Sequence, residues 1–223
     1  MQRHKRAAKA RNPRPRCSCA IVLAMKSESS GPVRHLDRGR WLAQFAGRIL
    51  VVCPRCGGRA LVVPRPGLEA PRFFSELMFM PRRLVCAACG ATDEWQAEVQ
   101  GAALVGAALG GTEDPFFRRP LWLQTRCVGH ILWAYNEEHI DELAAYVSAV
   151  LRQHRASPTM AMIPRLPVWM KRADNRPEVL ADLGRLRALA ERSAPDERSD
   201  AAHRRDDRPR LRGSSLFRGG PYE

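Results

Sequence analysis

Cys53-Pro54-Arg55-Cys56-Gly57-Gly58 and Cys86-Ala87-Ala88-Cys89-Gly90 are two copies of one short pattern. In each, two residues separate a pair of cysteines and a glycine follows at once. The two-residue spacer lets the chain fold back so that both sulfurs reach one ion, and the glycine admits the left-handed backbone that this turn needs. Pro54 pre-sets the first step of the first turn. Four soft sulfur donors in a tetrahedral arrangement select Zn2+ first and iron second. Cys53, Cys56, Cys86 and Cys89 are therefore the expected ligands of one structural metal ion.

Strand-forming residues flank each pair. Arg48 to Val52 enters the first and Arg59 to Val63 leaves it; Arg83 to Val85 enters the second and Ala91 to Trp95 leaves it. Each half reads as a short hairpin with its metal ligands at the turn. Over about residues 48–95 the chain resembles the zinc ribbons, and Cys53 to Gly57 is similar to the rubredoxin-type knuckle of transcription factor IIB-type ribbons. That resemblance implies a neighbourhood in transcription, translation or nucleic-acid processing. The spacing departs from the family pattern, because 29 residues separate Cys56 from Cys86 where the ribbon signature has about 15 to 20. The insertion, residues 64–80, begins with the turn Pro64-Arg65-Pro66-Gly67 and continues with Phe73, Phe74, Leu77 and Met78 at helical spacing. The longer loop costs about 0.5 kcal/mol in closure entropy against about 10–16 kcal/mol of structural zinc binding, so it does not exclude the metal.

A Cys-Pro-x-Cys pair also occurs in thiol-disulfide oxidoreductases. There the second cysteine lies in a helix whose N-terminus lowers the thiol pKa, and Gly57-Gly58 would break such a helix. A second C-x2-C has no role in that chemistry. Cys17, Cys19 and Cys127 remain; Cys127-Val128-Gly129-His130 has half-site spacing, with no partner unless Cys17 and Cys19 fold onto it. Paired knuckles need reduced thiols, which points to a reducing, cytoplasmic compartment.

At 223 residues the chain could hold one ordinary core or two small ones. No apolar run approaches the roughly 20 residues that cross a bilayer, so no membrane contact is expected. The formal net charge of +14 is unevenly spread: residues 1–40 contribute +9, residues 41–190 contribute +4 and residues 191–223 contribute +1. The central part is nearly balanced, and four thiolates around a dication would subtract two more. Arginine outnumbers lysine 33 to 4, a pattern of GC-rich coding rather than of phosphate contact alone.

Residues 1–40 read as a disordered basic arm able to meet nucleic acid or an acidic surface. Met25-Lys26-Ser27 resembles an ordinary start, so residues 1–24 are alternatively untranslated; a secretory signal would need a small-residue cleavage site that is missing after Met25. Residues 41–100 form the expected ribbon, and 101–113, rich in glycine and alanine, a linker or weak strand. Residues 114–192 then hold a second hairpin, with Leu121-Trp122-Leu123 and Ile131-Leu132-Trp133 as its strands, and helices.

Asn136 caps the strongest predicted helix, with Glu137 and Glu138 at its positive end; Ile140, Leu143, Val147 and Leu151 share one face, and Arg152 and His154 close the negative end. Pro158, Pro164 and Pro167 interrupt the methionine-rich stretch that follows, and Asn175-Arg176-Pro177-Glu178 opens a second helix. Residues 193–223 read as a disordered tail. The expected fold class is α+β, with zinc-ribbon β-hairpins, a helical insertion and a small hairpin-plus-helices C-terminal half.

No nucleophile elbow, Walker A loop, H-E-x-x-H pair or dinucleotide fingerprint occurs. Four cysteines would close the coordination shell, which argues for binding and against catalysis; no small-molecule substrate is expected. The leading expectation is a non-enzymatic zinc-ribbon accessory protein near nucleic acid, with Arg55, Arg59, Arg82 and Arg83 meeting phosphate or an acidic partner. The alternative is a protein-interaction adaptor that uses Trp122, Trp133 and the methionine-rich segment; taken by themselves, Trp122 and Trp133 read first as core aromatics and second as an exposed stacking pair. A thiol redox enzyme is the third reading.

Overall fold

The computed structural model describes residues 34–154, 161–202 and 215–217. The arm through residue 33, with the alternative start and Cys17 and Cys19, lies outside the described residues, as does the tail beyond residue 202 apart from 215–217.

Strand β1 (Arg34–Asp37) is followed by a 3-10 turn, Leu42–Phe45, and then by β2 (Ile49–Val52), β3 (Arg59–Pro64), β4 (Arg82–Val85) and β5 (Thr92–Trp95). The last four make one antiparallel sheet in sequence order. Val52 pairs with Arg59 and Val85 with Thr92, closing two hairpins, while Leu61 pairs with Val85 between them. This antiparallel order puts both hairpin turns at one end of the sheet and the long connection at the other.

The connection supplies a short 3-10 helix, Phe74–Met78, in place of the longer helix that the apolar spacing predicts. Pro71 and Pro81 bound the stretch, and neither can donate into a continuing helix. β6 (Glu98–Gln100) and β7 (Ala103–Val105) form a further hairpin, and Ala107 N–H donates to Met78 O at 2.8 Å. Residues 101–113 are thus tied down to the insertion and are not a free linker.

β2 is buried at all four positions because its second edge is covered as well. Val52 N–H donates to Pro120 O and Trp122 N–H to Leu50 O, both at 2.9 Å. Leu121, Trp122 and Leu123 therefore run along the sheet, fully buried, and the hairpin starts three residues later than predicted, as β8 (Gln124–Cys127) with β9 (His130–Trp133). Its two-residue turn, Val128-Gly129, has positive φ at both positions, the conformation that matches strand twist.

Asn136 caps helix α1 (Glu137–Ser148) as expected, its Oδ1 accepting from His139 N–H at 2.9 Å. Its Nδ2 also donates to Phe45 O and Arg48 O, both at 2.7 Å, so one side chain fixes the helix and the entry to β2 together. The helix stops at Ser148, before Leu151, because β10 (Leu151–His154) pairs in parallel with β1. Arg152 still reaches back to the last turn, with Nη2 3.5 Å from Val147 O. A single turn, α2 (Val168–Lys171), precedes α3 (Arg176–Ala190). β11 (Ser215–Phe217) pairs with β7.

Phe45, Val51 and Leu84 of the expected ribbon share one continuous apolar core with Trp122, Ile140 and Leu183 of the expected C-terminal half. The division at residues 101–113 does not divide the core. The predicted tail is also shortened: Pro195–Glu197 forms a 3-10 turn, and Ala201 and Ala202 are buried.

His139 sits inside this core, stacked on Phe45 with ring centroids 4.9 Å apart. Burial and then the charge of Arg40 push its pKa down to about 3. The unfolded chain takes up this proton near pH 6.5, so the group's stabilisation is complete above that pH and is lost as the pH falls toward 3. Asp114, raised to about 6 by burial despite three backbone N–H donors, works in the opposite sense between about pH 4 and 6. Denaturant unfolding from pH 7 to 4 should therefore show a shallower acid loss in His139→Leu than in the parent, whatever the overall stability of the variant; parallel curves would contradict the assignment.

Candidate metal centre

The two knuckles have the same backbone bonding. Gly57 N–H donates to Cys53 O at 3.0 Å and Gly90 N–H to Cys86 O at 2.9 Å. Cys53 N–H donates to Gly58 O at 2.7 Å and Cys86 N–H to Ala91 O at 2.9 Å. Gly57 and Gly90 hold φ of 76° and 68°, where a side chain would be strained. Equivalent turns at the same sheet end carry equivalent sulfurs to one point.

All four Sγ atoms lie within 4.8 Å of one another. Cys53 Sγ is 3.6 Å from Cys89 Sγ, and Cys56 Sγ is 3.7 Å from Cys86 Sγ. A tetrahedron with metal–sulfur bonds of about 2.3 Å has sulfur–sulfur edges of about 3.8 Å, so the spacing fits a tetrathiolate ion. It does not fit a disulfide, which needs about 2.05 Å; all four are free cysteines. Cys53 and Cys86 are buried while Cys56 and Cys89 are half-buried, which places the cluster at the edge of the core.

The protonation chemistry agrees. Burial pushes the Cys53 thiol up, but N–H groups of Cys56 and Arg55 and the adjoining thiols of Cys89 and Cys56 donate to its sulfur and leave it lowered to about 7. At Cys56 the Gly58 N–H favours the thiolate, while burial and three neighbouring sulfurs oppose it and push the thiol up to about 12. Cys53 thus ionises readily while Cys56 resists, and a cation between them would balance both as thiolates.

The arginines beside the knuckles divide. Arg55 is exposed and donates from Nη1 to Cys89 O at 3.3 Å. Arg59 is half-buried, with its guanidinium donating to Ala190 O at the end of α3. Arg83 is half-buried opposite Glu94. Arg82 is fully buried, donating to Ala46 O at 3.0 Å and Leu77 O at 2.9 Å, with its guanidinium over Phe116. Burial lowers its pKa to about 10, and it is out of reach of any phosphate, so the contact role expected for Arg82 is corrected. Trp122 is likewise a core residue, not a surface platform; its Nε1 donates to Leu189 O at 3.1 Å. Trp133 is half-buried against His139 and Tyr135.

Arg59 thus meets the carbonyl of Ala190 at the C-terminus of α3, and Trp122 adds a second donor to that of Leu189, which also accepts the Arg192 N–H. The chain beyond α3 then passes over the first knuckle, where Arg59 N–H donates to Ser193 O at 3.0 Å. Nothing in the sequence marked this docking, because it joins backbone carbonyls to residues more than sixty positions away.

Cys127 and His130 do not form a half-site. Cys127 groups with Glu178 and Asp182, whereas His130 stacks on Trp169. Burial, then Asp182 and Glu178, push the Cys127 thiol up to about 12, so it stays a neutral donor to Asp182.

No protein-family model, curated protein or solved structure matches this chain.

Purified protein should carry one metal ion per chain by mass measurement. Cys127→Ser should keep that ion, and Cys53→Ser or Cys86→Ser should lose it. Because the sulfurs join the common core, chelation should collapse helical and tertiary signals in one transition, whereas survival of the α1 signal would mean separate cores. A Cβ at position 58 would lie 2.7 Å from Ser193 O. Gly58→Ala should therefore cost about 1–3 kcal/mol in unfolding experiments with the metal content unchanged.

Proposed function

We propose that the chain is a non-enzymatic binding module folded around one structural Zn2+ held by Cys53, Cys56, Cys86 and Cys89, with iron the second choice. The convergence of four sulfurs carries this reading. A tetrathiolate shell leaves no position for water or substrate, and d10 zinc suits sulfur donors without a demand for redox chemistry. The metal's work is to hold two hairpin turns together at the sheet end where α3 docks.

Among the two binding readings, the surface supports the protein-interaction adaptor for residues 34–202. Arg40, Arg48, Arg118, Arg126, Arg185 and Arg187 are paired with carboxylates. Of the knuckle arginines only Arg55 is exposed. Arginines already paired release few counterions on meeting a phosphate backbone, whereas the exposed Arg34, Arg38, Arg72, Arg172 and Arg192 have no carboxylate partner among the described residues. The nucleic-acid reading rests instead on the basic excess of residues 1–40, which carry +9 of the +14.

Electrophoretic retardation of duplex DNA and single-stranded RNA distinguishes the two. With the full chain, any retardation at 50 mM salt should disappear by about 200 mM and be absent from a chain beginning at residue 34. Retardation by that shorter chain at either salt concentration would return the nucleic-acid reading to first place. The metal-loaded protein should also show no dithiol turnover; catalytic disulfide exchange would move it to the redox class.

A further inference from the structure

A cavity of about 720 Å3 lies apart from the cysteines, with none of them in its wall. Ligand sites for small organic molecules occupy about 300–1,000 Å3. Three of the chain's five tryptophans, Trp41, Trp133 and Trp169, line it, with the methionines Met78, Met162 and Met170. Flat rings and adaptable thioethers are the surfaces that planar apolar molecules pack against. Neither Asp nor Glu lines the cavity, so no carboxylate is there to balance a cation.

Polar side chains are few in this surround: Ser75, Thr112, His130, Arg165 and, deepest, His139. His139, 2% exposed, lines the cavity, and its Nδ1 accepts the Tyr135 N–H at 3.2 Å. The ring proton therefore sits on Nε2, and among the described residues no acceptor meets it. The ring cannot turn to find one, since Phe45 stacks on its face and Trp133 meets it edge-on at 5.7 Å. Its depressed pKa keeps it neutral at physiological pH, a donor suited to a carbonyl or ring nitrogen more than to an anion.

We infer that this cavity binds a small, uncharged, largely apolar molecule with a flat ring system and one hydrogen-bond acceptor, the rings lying among the tryptophans and the acceptor on His139 Nε2–H. A donor held in a largely apolar wall discriminates, because a ligand without an acceptor leaves that donor unpaired. The proposal is independent of the metal's identity and of the partner class.

The probe is 6-propionyl-2-dimethylaminonaphthalene, a neutral naphthalene whose ketone is an acceptor and whose emission shifts to the blue in apolar surroundings. Titrated into the metal-loaded full chain, it should saturate at one site per chain, with blue-shifted emission and quenching of tryptophan fluorescence. 2-Dimethylaminonaphthalene, which lacks the ketone, should bind about five- to tenfold more weakly. Ala108 and Ile131 line the cavity from different segments. Ala108→Phe and Ile131→Trp should each abolish saturable binding, judged on whichever of the two keeps the parental melting temperature. Absence of saturable binding to the parent, undiminished binding to a folded filled variant, or equal affinity for the two naphthalenes would overturn the inference.

Discussion

The antiparallel pairing of β3 with β4 is the constraint from which the convergence of the four sulfurs follows. With Leu61 opposite Val85, the turn that ends β2 and the turn that ends β4 arrive level at the same end of the sheet. Sulfurs 30 or more residues apart in the chain then stand 3.6–3.7 Å from one another with no rearrangement of the backbone. The insertion that lengthens the connection is accommodated at the opposite end, where it disturbs neither turn. A cation at the sulfur cluster would reinforce a register that backbone hydrogen bonds already specify, and would favour the thiolate of Cys56, which its surroundings otherwise keep protonated.

Helix α3 is what makes the knuckles part of a larger core. Its last carbonyls need partners, and they find Arg59 on β3 and the indole of Trp122 on the segment beside β2. A positive guanidinium at the negative end of a helix adds a favourable charge–dipole term to the hydrogen bond. Trp122 buries its ring in the same step, so one residue both fills the interior and closes a helix end. Asn136 plays a comparable double part at the start of α1. These junctions are polar and few, yet they explain why the apolar interior is continuous from the sheet to the helices.

Much of this was legible in the residues themselves. The C-x2-C-G repeats indicated the converging cysteines, the apolar flanks indicated the strands, and Asn136 with its acidic successors indicated the start of α1. Periodicity failed where tertiary pairing overrode it: Leu151 continues the apolar face of α1, but parallel pairing with Arg34 draws it into β10. Leu121 to Leu123 looked like a hairpin strand, and the segment instead covers the open side of β2. Arg82 could not be recognised as buried, because arginine next to a knuckle looks like surface charge until the carbonyls of Ala46 and Leu77 are seen to receive it. The wall around His139 was invisible for a related reason, since its residues come from segments with no common motif.

The sheet has one remaining boundary, β5, whose sequence Thr92-Asp93-Glu94-Trp95 is exposed at its first three positions. Unpaired strand margins invite the addition of further chains, and two adjacent carboxylates make such an addition costly, because an incoming strand would have to strip them of water. At the opposite margin, Pro120 to Trp122 already occupies the bonding groups of β2. Stacking of copies into extended fibrils through this sheet is thereby obstructed on one flank by charge and on the other by the chain's own backbone.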